Sequence, residues 1–229
     1  IGSAKDVWKV SLRDMPYVIS QKITGATTVA ATMRIASMAG IKIFVTGGTG
    51  GVHRGATETM DISADLTEMA QTNVAVVSAG VKSILDIGMT LEKLETLGVP
   101  VITYGSSEFP SFYSRSSGFE SPMRMDDAGE IAKLLSAKWK LGLAGSVLIA
   151  NPVPEEHEVP FEVMEKHILT ALEAADMQGV KGKNITPFLL KYLADKTGGE
   201  SLEANIQLVM NNASLGASIA VLFNQIFKS

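Results

Sequence analysis

The chain has 229 residues, 46% hydrophobic and 19% charged, a balance that fits one sizeable α/β domain with a real core and excludes a disordered polymer. A net charge of −4 with no basic block argues against a nucleic-acid polymer as partner, and the absence of cysteine removes disulfides, thiolate catalysis and Cys-ligated metal centres. No apolar run reads as long enough to span a membrane and no secretory signal opens the chain, so a cytoplasmic protein with no membrane partner is expected.

In chain order, residues 7–11 alternate as a strand and end in the turn-like Arg13-Asp14-Met15-Pro16. Residues 17–21 start a short helix. Gly25-Ala26-Thr27-Thr28 opens a helix of small and apolar residues over 29–39, with a Thr cap at its start and Gly40 at its end. That entrance is either a plain cap or an anion cradle. Residues 41–45 are a β-type run, followed by the stretch TGGTGGVHRGATETMDISAD, Thr46 to Asp65, and by a helix starting at residues 64–67. Residues 74–78 form a continuous apolar strand of the kind buried on both faces in a parallel sheet. Residues 84–86 read as the opening of a short helix, and Thr90 as the cap of the next, over 91–97, which stops at Gly98. A strand with an early proline follows at 99–104. Residues 105–126, rich in Ser, Phe, Pro, Arg and Gly, read as a long surface excursion, a lid or an oligomer contact. An amphipathic helix at 127–141 leads to a strand at 146–150 and then to Asn151-Pro152-Val153-Pro154. Residues 161–177, 187–196 and 202–227 carry helical periodicity, with Gly198-Gly199 separating the last two. The sum is a three-layer α/β/α fold with a largely parallel or mixed central sheet and a helical region over 160–229. It forms a single domain over 1–229, of which an N-terminal part is expected to be missing.

Gly47, Gly48, Gly50 and Gly51 can take positive φ and approach a ligand closely, and their N–H groups can wrap an anion. Their spacing matches neither the P-loop nor the dinucleotide fingerprint. His53, Arg54, Asp61, Ser63 and Asp65 follow at once, an inventory that a solvated linker does not need. In open α/β sheets ligands bind at the carboxyl ends of strands, which selects Lys9, the glycine loop with His53, Lys82 and Asn151 as groups that can converge. Lys82 stands just past an apolar strand, at an expected helix N-terminus. That positive end and burial would together favour a neutral amine able to attack a carbonyl; the other reading is a solvated surface charge. Asp61 and Asp65, with Ser63 between them, suit a hard divalent cation that keeps several waters, or else helix capping. His157 and His167 read as structural.

The runs FVTGGTGGVHRGA, DISADL, VSAGVKSILD, ANPVPEE, TPFLL and ESLEANIQLV, collinear from about Lys9 to the end, resemble the pseudouridine-5'-phosphate glycosidase family, also labelled indigoidine synthase A-like. The resemblance implies reversible cleavage, with water, of the C–C glycosidic bond of pseudouridine 5'-phosphate to uracil and ribose 5-phosphate, by a homotrimer using a divalent metal, typically Mn²⁺. In place of the carboxylate pair of O-glycosidases, it implies ring-opened ribose held as a lysine imine at C1', the electron sink for the C–C bond. The nucleophile motif falls on Lys82. Asp61 falls on the metal position, and Ser63, Ala64 and Asp65 on the substrate-contacting segment. Lys9 and Val29 fall on phosphate or substrate contacts, Val29 through its backbone. His53 and Asn205 lie inside matching motifs, with Asn205 placed to read the uracil edge. The family's proton-donating glutamate stands in an early segment resembling ALEST, followed by His-Gly. Nothing like it occurs in these residues, and Glu58 does not match its position. The sequence is therefore expected to begin inside the domain, and the alternative function is a sugar-phosphate binding module with impaired catalysis.

Overall fold

The structure, a computed structural model, describes residues 6–180, 185–197 and 199–228. In chain order, β1 (Trp8–Val10), α1 (Met15–Ser20) and β2 (Gly25–Thr27) lead into α2 (Val29–Met38). Next come β3 (Ile43–Val45), β4 (Val52–His53), α3 (Ala56–Thr59), α4 (Ala64–Gln71), β5 (Ala75–Ser78) and β6 (Leu85–Asp86). The chain continues through α5 (Ile87–Thr96), β7 (Val101–Tyr104), β8 (Arg124–Met125), α6 (Ala128–Lys140) and β9 (Leu148–Ala150). It closes with α7 (Phe161–Met177), α8 (Ile185–Lys196) and α9 (Glu200–Lys228).

The central sheet has the order β3-β5-β9-β7-β8, with every neighbouring pair parallel. Parallel strands need crossovers that cover both faces, which is why their runs are apolar rather than alternating. Along β5 the pleat sends Val76 to one core and Ala75 and Val77 to the other. The first core is filled by Met33 of α2, Leu66 and Met69 of α4, Leu94 of α5, and Met164 and Leu189 of α7 and α8. The second is filled by Ile131 and Leu135 of α6 with Leu215, Ile219 and Phe223 of α9. The result is the expected three-layer α/β/α fold.

Several local expectations change. β1 lies outside the central sheet and pairs in parallel with β2, where a Cβ on Gly25 would overlap Val10. Residues 84–86 do not open a helix, because β6 pairs antiparallel with β4. α5 starts instead at Ile87, with Asp86 as its cap accepting from Met89 N. Thr90 is not a cap but a buried bridge: its Oγ1 accepts from Val52 N at 2.9 Å and donates to Asp86 O. The excursion at 105–126 is no loose lid. Phe109, Phe112 and Tyr113 are buried in it, and Phe112 N donates to Ala79 O at 3.2 Å, so burial of the aromatic rings holds it against the sheet. Among the described residues one helix, Glu200–Ile226, is long and apolar enough to cross a membrane by length and composition, contrary to expectation. Its inner face packs on α6 and the sheet. Of the expected Gly198-Gly199 break, Gly198 lies outside the described residues.

Candidate active site

The glycine loop continues the pairing of β3 with β5 past the end of the strands. Thr46 N donates to Val77 O, Ala79 N to Gly47 O, Thr49 N to Gly80 O and Lys82 N to Thr49 O, all between 2.8 and 3.1 Å. Of the four loop glycines Gly50 commits its amide, to Asp65 Oδ2 at 2.8 Å, and Thr49 among them commits its own to Gly80 O. The expected positive φ is absent from these glycines; it occurs at others, such as Gly55 and Gly80. Their role is volume. A Cβ on Gly48 would stand 2.5 Å from the Phe112 ring, on Gly51 2.5 Å from Thr90 Oγ1, and on Gly50 inside the Ser63 side chain.

Beyond the loop, His53 N donates to Asp61 O and Ser63 N to Gly51 O, both at 3.0 Å, which folds the segment 61–63 back along 51–53. Asp61 Oδ2 thereby comes to 4.0 Å from His53 Nδ1. Ser63, not an aspartate, is the N-cap of α4, accepting from Asp65 N at 3.2 Å, and Ala64 is exposed in the first turn. Asp65 is buried, and its two oxygens accept from Ala30 N and Gly50 N, each at 2.8 Å. Its carboxylate therefore ties the start of α2, next to Val29, to the glycine loop, each oxygen serving one amide. Asp61 offers a single, partly exposed carboxylate. Among the described residues no cluster of three or more His, Asp or Glu encloses a metal position. Such a donor suits a divalent ion that keeps most of its waters.

Lys82 lies in the turn between β5 and β6, away from any helix start. The dipole argument therefore fails, yet the direction of the shift stands. Burial holds the Lys82 ammonium below the ordinary lysine range, Asp65 pulls it back up, and Lys9 pushes it further down. His53 is lowered by burial, opposed by Asp61 and reinforced by Lys9 and Lys82. These mutual influences bring Lys9 on β1, His53, Asp61, Asp65 and Lys82 within electrostatic reach of one another. Asn205 joins from α9, its Oδ1 3.4 Å from where a Gly47 Cβ would stand. Arg54 does not join them: it forms a two-pronged ion pair with Glu165 of α7, at 2.5 and 2.8 Å. Asn212, which carries no motif of its own, is missed by sequence reasoning and lies buried against Thr46 and Gly47. Its polarity between the buried Leu208 and Leu215 of the same helical stripe was the available signal.

Comparison with known proteins follows this geometry. Residues 1–222 match the family described as indigoidine synthase A like protein. The chain is 60% identical over 220 residues, 96% of its length and 72% of the relative's, to a protein of Nocardioides sp. (strain ATCC BAA-499 / JS614) named pseudouridine-5'-phosphate glycosidase. A protein of the same name from Deinococcus radiodurans is 59% identical, with 96% of this chain and 70% of that one covered. Among solved structures, a prealnumycin C-glycosynthase in complex with ribulose 5-phosphate superposes with a TM-score of 0.92 at 37% identity, covering 99% of this chain and 74% of that one.

Proposed function

The chain belongs to the indigoidine synthase A-like family, and from that premise we infer that it is a pseudouridine-5'-phosphate glycosidase, interconverting pseudouridine 5'-phosphate and water with uracil and ribose 5-phosphate. The observation that carries the chemistry is Lys82, an amine whose proton is made easier to lose by burial, standing where the glycine loop meets the end of β5. A neutral amine is the form that attacks an aldehyde carbon. With ribose 5-phosphate in its open form, Lys82 Nζ adds to C1', water leaves, and the protonated imine accepts the electron pair of the uracil carbon. The uracil carbon then loses its proton, and O4' bonds to C1' as Lys82 Nζ leaves, closing the ring. In the cleavage direction Nζ bonds to C1' as the C1'–O4' bond opens and O4' takes a proton, the nitrogen pushes its pair toward C1' as the C–C bond breaks, the uracil carbon takes a proton, and water adds to the imine carbon and frees both the sugar and the amine.

The remaining residues bind and orient. Lys9 meets the phosphate, Val29 offers main chain at the start of α2, and Ser63, Ala64 and His53 face the sugar side. Asp65 holds the loop and α2 together while supporting the Lys82 charge. Asn205 reads the uracil edge. Asp61 would hold Mn²⁺ with waters, and the ion would supply positive charge for substrate oxygens. A cytoplasmic homotrimer is part of the same proposal.

The test is borohydride trapping with ribose 5-phosphate. The wild-type protein gains the mass of a reduced sugar adduct, and Lys82→Ala gains none. Adduct formation undiminished in Lys82→Ala would remove Lys82 from the role. A protein that binds ribose 5-phosphate but never changes the absorbance of pseudouridine 5'-phosphate would be the non-catalytic binding module instead.

A further inference from the structure

α9 reaches the site by crossing the carboxyl ends of the strands. Its early turns place Ala204 and Leu208 in the core on one side of the sheet, and its later turns place Leu215, Ile219 and Phe223 in the core on the other. A helix on that path passes over the polar strand ends, and Asn212, fully buried, sits at the crossing. Its Nδ2 donates to Thr46 O at 3.0 Å and to Gly47 O at 3.4 Å, and its Oδ1 accepts from Asn151 Nδ2 at 3.1 Å. Asn211 beside it donates to Pro152 O at 3.0 Å. One amide thus joins the end of β3, the residue after β9, and α9.

The main chain that Asn212 grips is the start of the ladder leading to Lys82: Gly47 O accepts from Ala79 N at 2.8 Å, and Lys82 N donates to Thr49 O at 3.1 Å. Two helical turns before Asn212, on the same stripe, Asn205 Oδ1 stands 3.4 Å from where a Gly47 Cβ would be. We propose that Asn212 is a positioning residue that sets the height of α9 over the glycine loop, and so fixes Asn205 relative to Lys82. A purely space-filling role would be met by leucine, which has the same branched skeleton, a larger volume and no donors. The positioning role needs the amide.

This inference rests on the glycosidase reading, and the experiment keeps the two apart. Asn212→Leu is assayed in the synthetic direction, from uracil and ribose 5-phosphate with Mn²⁺. The apparent KM for uracil rises by about tenfold or more, because displacement by a fraction of an ångström costs that much at a positioned group. The KM for ribose 5-phosphate and the yield of the trapped lysine adduct stay at the wild-type values, since Lys82 keeps its own bonds. Equal rises in both KM values, or none in either, would overturn the proposal. If Asn212→Leu does not fold, Asn151→Ala, which removes only the amide that orients Asn212, takes its place with a smaller change in the same direction. If the wild-type protein makes no pseudouridine 5'-phosphate, the functional reading falls, and amide hydrogen exchange then decides the positioning claim. Thr46 exchanges faster in Asn212→Leu than in wild type while Lys82 and residues 131–135 of α6 do not; unchanged exchange at Thr46 overturns the claim.

Discussion

Replacing Asp65 by asparagine isolates one carboxylate with two duties. In the wild type each oxygen accepts one buried amide, from Ala30 and from Gly50. The asparagine oxygen can keep one of these bonds, while its NH₂ faces the other N–H and leaves it without an acceptor. Losing one charge-assisted bond and stranding a buried donor costs roughly 2–3 kcal/mol. For a chain of this size each kcal/mol moves the unfolding midpoint by about 2–4 °C, so Asp65→Asn should unfold roughly 4–12 °C lower in a calorimetric scan. The second duty is electrostatic. Asp65 raises the Lys82 pKa against burial, so removing its charge lowers Lys82 further, and the acid limb of imine trapping against pH moves to lower pH. Stability follows with a definite sign. The folded lysine sits below its unfolded value, so the unfolded chain binds the extra proton between the two, and stability rises with pH from the depressed folded value up to the ordinary lysine range. Asp65→Asn widens that window downward. A midpoint equal to wild type together with an unmoved acid limb would refute the account of both duties.

The glycine loop and the metal position give two further expectations. Gly48→Ala puts a Cβ 2.5 Å from the Phe112 ring and should cost about 1–3 kcal/mol as an overpacked site, with a weaker calorimetric Kd for ribose 5-phosphate; unchanged stability and affinity would mean that the ring moves freely. Asp61→Asn should raise the Mn²⁺ concentration needed for half-maximal turnover by at least about tenfold, read by titrating the metal into chelator-treated protein, while borohydride trapping with ribose 5-phosphate stays intact.

The layered architecture was legible because parallel strands such as β5 and β9 are almost wholly apolar and are separated by helical periods. Lys82 was legible for the same reason, as a cation immediately after a run with no other polar side chain but Ser78. The stated cause was half right: burial was foreseen, but a helix start was assumed where β6 stands. A two-residue strand pairing with His53 carries too little pattern to oppose a helical reading. β8 escaped for the same reason. The segment 105–126 misled because its serines and prolines describe a loop, whereas Phe109 and Phe112 decide where the loop lies. Asn212 escaped because an asparagine in a helix reads as solvent-facing, and only the passage of α9 over the strand ends gives it buried partners. Asp65 stood out by its spacing from Asp61, but the two amides it serves come from α2 and the glycine loop, contacts that no local pattern announces.

The loop at Gly47 to Gly51 is held to glycine by crowding and not by torsion, and this determines how it can vary. A position that demands a left-handed backbone accepts only glycine and its few substitutes, whatever surrounds it. A position that lacks room accepts a larger residue as soon as a neighbour shrinks. Gly50 is hemmed in by Ser63 and Asp65 together, but Gly51 and Thr90, and Gly48 and Phe112, are linked pairs. Each glycine can be lost without penalty only in a background where its partner has already changed, so substitutions in this loop should be accepted in a set order, with the outer residue giving way first.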